Sequence, residues 1–238
     1  MIREILKKNA ALTVICAVFF AAGIPFGYLL YDQSESVMMP VLEELKDLAT
    51  KESKLETVEY ILFNNYRVCI YLLIAGILIA PTFLVMLANG FVIGFLIKLL
   101  EKEDLGPAFL LKGITAHGIF ELPAIFISAA VGLRIGIAFL TPHRKRLISD
   151  TLLLLFTLTS GLAALALGAY ASWAEPAALL AAAIGTLTLV MYVNSDQRKK
   201  TLLKSIREAS LIHFLVVVPL LIIAAFVEVF ISAALVAR

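Results

Sequence analysis

The sequence predicts an all-α polytopic membrane protein, in which transmembrane helices form one bundle and an amphipathic helix lies outside the bilayer. Of its 238 residues, 61% are hydrophobic and 16% are charged, whereas soluble domains have about 45–50% apolar and about 25% charged residues. Mean hydropathy is +0.97. Several apolar runs reach the roughly 20 residues that a helix needs to cross a bilayer. We therefore expect a single integral membrane domain, residues 1–238, whose excess apolar surface faces lipid.

The apolar runs predict about seven crossings. The predicted spans are residues 10–31, 61–79, 82–98, one part of 108–140, 152–172, 177–192 and 209–236. Gly76 and Pro81 interrupt the forty-residue run at 61–100, where a tight turn between two antiparallel helices fits. If part of 61–100 or 108–120 re-enters without crossing, the count falls to five or six.

Residues 32–59 form a polar stretch rich in Glu and Asp, with Lys interspersed. Its apolar positions recur at spacings of three, four and seven, which is typical of an amphipathic helix. Such a helix lies on the membrane surface or packs on a partner. A solvated helical linker is the alternative interpretation.

Lysine and arginine in short loops predict the orientation, because cytoplasmic loops carry the excess of positive charge. The N-terminus and residues 141–147 and 194–207 are basic, so we expect them to be cytoplasmic. Residues 32–59 and 101–106 are acidic or mixed and should be external. Seven crossings then place the N-terminus in the cytoplasm and the C-terminus outside the cell membrane. The formal net charge of +2 gives no support for a nucleic-acid partner.

The most polar feature of an apolar run is the pair His117 and Glu121, which is followed at once by Pro123. Residues four apart share one face of a helix, so the imidazole and the carboxylate can hold one ion or proton together. Ionisable groups at bilayer depth are costly and mark functional sites by default. Proline has no N–H and clashes with the carbonyl four residues earlier, so we expect α-helical structure to kink or break at Pro123.

Other polar residues are predicted at similar depth in the outer half of the membrane. The predicted ion, proton or substrate site consists of His117, Glu121, Glu228, Asn64, Asn65 and Asn89. His117, Glu121 and Glu228 also form a candidate set of ligands for a divalent metal such as zinc. Hydrogen bonds that only join helices are the alternative interpretation. Arg134 and His213 are expected at the cytoplasmic interface.

Several motifs together resemble the stage II sporulation protein M family. They are His117-Gly118-Ile119-Phe120-Glu121-Leu122-Pro123-Ala124, Gly132-Leu133-Arg134-Ile135-Gly136, Phe63-Asn64-Asn65, Asn89-Gly90 and Ala225-Phe226-Val227-Glu228. The resemblance covers about residues 10–236. It implies an integral membrane protein of a family without an agreed reaction, whose namesake branch is associated with remodelling of the cell envelope during spore formation.

Three functions stay open on this basis. The first is a non-enzymatic protein that transports or senses an ion, a proton or a small solute at the buried His/Glu site. The alternative is a membrane scaffold that binds envelope proteins through residues 37–59 and the basic loops. The third is an intramembrane metalloenzyme, although HExxH, GxSxG and Walker motifs are absent from the sequence. Small residues at 161–171 also suit a homodimer.

Overall fold

The computed structural model describes residues 1–49, 53–104, 107–140, 186, 189 and 196–232. These residues are helical almost throughout and contain no strand, which confirms the all-α prediction. In chain order the described helices are α1 (Ile2–Leu29), α2 (Tyr31–Ala49), α3 (Lys54–Ala75), α4 (Ala80–Lys102), α5 (Pro107–Leu140), α6 (Asp196–Ile212) and α7 (Val218–Val227). Short π-helical turns follow α6 at His213–Val217 and α7 at Glu228–Ser232.

Within the described residues, five helices are long and apolar enough to cross a membrane. They are Ile2–Leu29, Lys54–Leu78, Ala80–Lys102, Gly118–Leu140 and Lys199–Phe230. The multi-span fold is thereby confirmed. The predicted spans 152–172 and 177–192, the loop 141–147 and the candidate dimer segment 161–171 fall almost wholly outside the described residues. The count of seven crossings stays a prediction.

The chain divides into two compact units. The first unit comprises Met1–Gly136 and Arg207–Arg238, and the second comprises Ile137–Ile206. The contacts described below all lie within the first unit. Residues 196–207, predicted as part of a basic loop, are helical and form most of α6.

A tight turn joins α3 to α4, as Gly76 and Pro81 predict. Gly76–Leu78 form a single 3-10 turn, and Ile79 follows with φ of 62°. Positive φ is unusual for a β-branched residue. Pro81 lies in the first turn of α4, where its missing N–H leaves no hydrogen bond unmade.

Helices α1 and α4 run parallel at very short distance, because glycines line both sides of their contact. Gly23 and Gly27 of α1 meet Gly90 and Gly94 of α4, so each helix carries two glycines four residues apart. A Cβ atom on Gly27 would overlap the carbonyl oxygen of Phe91 and lie 2.8 Å from the backbone nitrogen of Phe95. Small residues at this spacing let helix backbones approach closely in membranes.

Helices α3 and α5 also run parallel through glycine contacts. Positions for Cβ atoms on Gly132 and Gly136 fall against the backbone carbonyls of Leu72 and Gly76, respectively, and the members of each pair are 60 positions apart in the chain. The thiol of Cys69 interacts with Ser128, which is 59 positions further on. An offset of about 59 positions therefore indicates which residues of the two helices lie at a similar level.

The last span runs antiparallel to α3. Val58 packs against Ala225 and Val229 in a small buried cluster, and the ammonium of Lys54 lies 5.5 Å from the ring centre of Phe230. Further along, the rings of Tyr66 and His213 lie 5.5 Å apart. Later residues of α3 therefore lie beside earlier residues of the last span, as expected for two antiparallel helices.

The predicted amphipathic segment 32–59 is interrupted in the structure. Its first part forms α2 (Tyr31–Ala49), whereas Lys54–Glu59 are the first residues of α3. The charged residues at 54–59 therefore belong to the same helix as the apolar span and extend it by about two turns. Val37 of α2 is 68% exposed.

Candidate functional site

Glu121 is the buried carboxylate on which the candidate site is built. It lies in the span Gly118–Leu140 of α5 and is only 5% exposed. Glu121 and Ser128 both lie close enough to the Cys69 thiol on α3 to interact with it, and Cys69 and Ser128 are fully buried. A buried carboxylate loses its hydration, so the protein must supply compensating contacts or the group must take up a proton.

Helix α5 continues through Pro123, so of the predicted kink or break at this residue the break is wrong and the kink stays a prediction. The described helix spans Pro107–Leu140 without interruption. Packing of the following turns is dense, with Ala124, Ala129 and Ala130 fully buried, and this contact holds the helix together. Because proline lacks an N–H, the carbonyl of Ile119 has no α-helical donor four residues on. The turn that carries Glu121 therefore presents an extra backbone acceptor.

The predicted neighbours of Glu121 differ in their environments. Asn65 is buried, with 8% of its surface exposed, and Asn64 is partly buried. Asn89 donates from Nδ2 to the carbonyl of Val85 at 2.8 Å, so its own helix satisfies this donor. His117 belongs to α5, and its side chain falls outside the described residues.

The depth of each ionisable group follows from its register along α3. The offset of 59 positions places Glu121 at the level of Leu62. Glu228 lies at the level of Val58, between the contacting residues Ala225 and Val229. The levels of Leu62 and Val58 are four residues apart on α3, which corresponds to a rise of about 6 Å along the helix axis. The structure therefore places Glu228 about one turn away from Glu121 along the bundle.

Among the described residues, no group of three His, Cys, Asp or Glu side chains could hold a metal ion. The side chain of His117 lies outside these residues. The metal set of His117, Glu121 and Glu228 therefore stays a prediction.

His213 is a buried polar residue that the sequence did not indicate. It is 2% exposed and packed among helices, and its expected position at the cytoplasmic interface stays a prediction. Neither Nδ1 nor Nε2 has a hydrogen-bond partner among the described residues. A buried polar group left without a partner costs about 1–3 kcal/mol. The rings of Tyr66 and Phe214 both contact the imidazole.

The backbone at His213 is a π-helical turn. The N–H of Val218 donates to the carbonyl of His213, five residues earlier. Pro219 follows at the start of α7 and cannot donate to Leu215, which favours a local change of helical pitch. Such π-turns occur frequently at functional sites.

Polar contacts join three helices at one end of the first unit. Arg134 of α5 donates from Nε to Oδ1 of Asn9 at 2.6 Å and also donates to the carbonyl of Lys8. Lys8 in turn pairs with Glu208 of α6 at 2.7 Å. Asn9 is 2% exposed. Arg134 thus joins helices as well as lying near the end of a span. We call this end of the unit the arginine end, and it is marked by Lys8, Asn9, Arg134 and Glu208.

The opposite end of the unit, which we call the tyrosine end, carries Tyr28 and Tyr31. Asp32 accepts a hydrogen bond from Lys102 at 2.7 Å, and this bond holds the pKa of Asp32 below its ordinary value. Burial and the hydrogen bond to Glu35 raise the pKa of Tyr31. These contacts attach the start of α2 to the end of α4.

A shallow groove of about 240 Å³ lies between α3 and the last span. Its lining is apolar and comes from Glu59, Leu62, Phe63, Tyr66, Val218 and Ile222. The groove therefore extends along the two turns of α3 that include Leu62 and Tyr66.

The comparison with protein families agrees with these features. A family model described as stage II sporulation protein M matches residues 16–175. The chain belongs to the stage II sporulation protein M family. The match covers the spans α1, α3, α4 and α5 and includes Glu121, and it confirms the resemblance seen in the sequence.

One relative of this family member is an uncharacterized protein of Methanocaldococcus jannaschii. The two chains are 29% identical over 125 residues, which is 51% of this chain and 66% of the relative. The aligned part therefore spans slightly less than two thirds of the relative's length. No solved structure matches the chain.

Proposed function

We propose that this family member carries a proton or a small cation through the membrane, with Glu121 as its binding group. The observation that supports this function most directly is the position of Glu121, a carboxylate that is 5% exposed within a candidate span. Carboxylates inside transmembrane helices typically belong to ion pathways or proton relays.

The surroundings of Glu121 support the same function. Asn65 is buried on the facing helix α3, within one turn of the level of Glu121, and offers a hydrogen-bonding amide. The Ile119 carbonyl lacks its helical donor because of Pro123. From the sequence, His117 would share the helix face of Glu121. Such a set of groups can exchange a proton or coordinate a small cation for a short time.

Flux through reconstituted liposomes tests this function. Glu121→Gln keeps the size of the side chain but removes its charge and its exchangeable carboxyl proton, so we expect ion-driven flux to fall to the level of empty liposomes. Glu103→Gln is the matched control because Glu103 is exposed at the end of α4. Wild-type flux in Glu121→Gln protein that elutes as a folded species would refute the proposal.

A scaffold function is the second candidate, and the exposure of α2 favours it. Val37 is 68% exposed on a helix that the tyrosine-end contacts attach to the bundle. An exposed apolar position on an amphipathic helix suits a protein or membrane surface. Under this proposal, Val37→Glu should release envelope proteins that co-purify with wild type, while Glu121→Gln retains them. The reverse pattern would exclude the scaffold.

A further inference from the structure

We infer that His213 is a second proton-carrying group, which lies beyond Glu121 on the way to the arginine end. The inference rests on the proposed function and selects the proton as the transported species. It begins from the order along the bundle, where Glu121 lies near the level of Leu62. His213 lies further towards the arginine end, where its ring contacts that of Tyr66.

Polar groups of the unit are spread along the axis instead of meeting at one point. From the tyrosine end towards the arginine end they follow the order Glu228, Glu121, His213 and then the joined pair Asn9 and Arg134. Of these, Glu121, His213 and Asn9 are buried. A bound sodium or calcium ion takes several oxygen ligands at a common centre. A series of single groups along the axis suits the stepwise transfer of a proton along hydrogen bonds.

His213 has the chemistry that a relay needs. A neutral imidazole carries one donor and one acceptor nitrogen, and both nitrogens of His213 are unpartnered among the described residues while the side chain is 98% buried. The ring can accept a proton on its bare nitrogen and release the other proton from its N–H. The charge is then carried only during the transfer, and the neutral ring is restored as the second tautomer.

The charged and titratable groups around His213 leave it available for this role. Tyr66 of α3 contacts the ring, and Glu121 of α5 lies on its side nearer the tyrosine end. On its own helix, exposed Arg207 lies six positions earlier, and Glu208 is paired with Lys8 of α1. The π-helical turn at His213–Val217 adds backbone freedom where the ring must reorient between donor and acceptor.

The test measures proton flux into liposomes that contain a pH-sensitive dye, with wild type, Glu121→Gln, His213→Phe, His213→Gln and Phe214→Leu compared at equal protein content. His213→Phe keeps an aromatic ring against Tyr66, and His213→Gln keeps polar atoms without a titratable nitrogen. Phe214 is 64% exposed and adjacent in the chain, so its variant controls for local packing. We expect at least a tenfold loss for both His213 variants and no change for Phe214→Leu.

Chemical rescue separates a relay from a structural role. In His213→Ala, added imidazole should restore flux above that of empty liposomes in the same imidazole concentration, which a purely structural histidine would not allow. Wild-type flux in His213→Phe, with flux lost in Glu121→Gln, overturns the inference and leaves the proposed function intact. Loss in His213→Phe with normal flux in Glu121→Gln overturns the role of Glu121 but supports that of His213. Absence of proton flux in wild type overturns both.

Discussion

The contact between α1 and α4 makes a quantitative prediction for Gly27→Ala. The new Cβ atom would overlap the Phe91 carbonyl oxygen and lie 2.8 Å from the nitrogen of Phe95. Ordinary contacts begin near 3.4 Å, so the two helices must separate by more than half an ångström. The obstructing atoms belong to the backbone and cannot rotate away as a side chain would.

The expected loss of stability follows from two opposing effects. Overpacking a tight contact costs about 1–3 kcal/mol, and a rigid backbone neighbour favours the upper part of this range. Alanine in place of glycine returns about 1 kcal/mol through its higher helix propensity. The net effect should be about 2 kcal/mol less free energy of unfolding, which corresponds to roughly thirtyfold in the folding equilibrium.

Steric trapping in mixed micelles monitors reversible unfolding and measures this difference in the free energy of unfolding. Ala88→Leu is the control, because Ala88 lies on α4 but is exposed, and such surface changes alter stability by about 0.5 kcal/mol or less. If Gly27→Ala and Ala88→Leu were equally stable, the close approach of α1 and α4 would not be a determinant of the fold.

Three further predictions concern the two ends of the bundle and the metalloenzyme alternative. Asn9→Ala leaves Nε of Arg134 without its acceptor and should lower the free energy of unfolding by about 1–3 kcal/mol; an unchanged value in the micelle assay would show that the bond contributes nothing. The lowered pKa of Asp32 means that its pair with Lys102 stabilises the protein above the ordinary carboxyl pKa, and that this contribution is lost as pH falls through the lowered pKa. Lys102→Met should return the pKa of Asp32 towards its ordinary value in a carboxyl-resolved NMR titration, and no movement would contradict this cause. Elemental analysis of purified protein should find no stoichiometric zinc, whereas one zinc per chain would favour the metalloenzyme.

The sequence was sufficient for the spans that the structure describes and for the turn at Gly76 and Pro81, because length, hydropathy and turn chemistry act locally. The sequence also indicated Glu121, because a carboxylate within an apolar run is unusual whichever residues of the neighbouring helices it faces. The break at Pro123 was predicted from a local rule that tertiary packing overrides. Buried alanines on the following turns supply the contact that holds α5 continuous.

Residues that depend on long-range register were beyond sequence reasoning. Glu228 and Glu121 were predicted to share the outer half of the membrane, but only the pairing of both helices with α3 reveals the turn between them. His213 follows a strongly charged segment and so resembles an interfacial residue, although α6 carries it into the bundle. The acceptor role of Asn9 for Arg134 joins positions 125 apart, which no local pattern predicts.

The glycine contact between α1 and α4 has a consequence for how the chain is made. Synthesis produces α1 before α4, because Gly90 and Gly94 follow Gly23 and Gly27 by more than sixty residues. The flat face of Gly23 and Gly27 can therefore reach its partner only after the later helix has been made. The close contact thus forms between two helices that run in the same direction but are synthesised one after the other, with α3 between them in the chain.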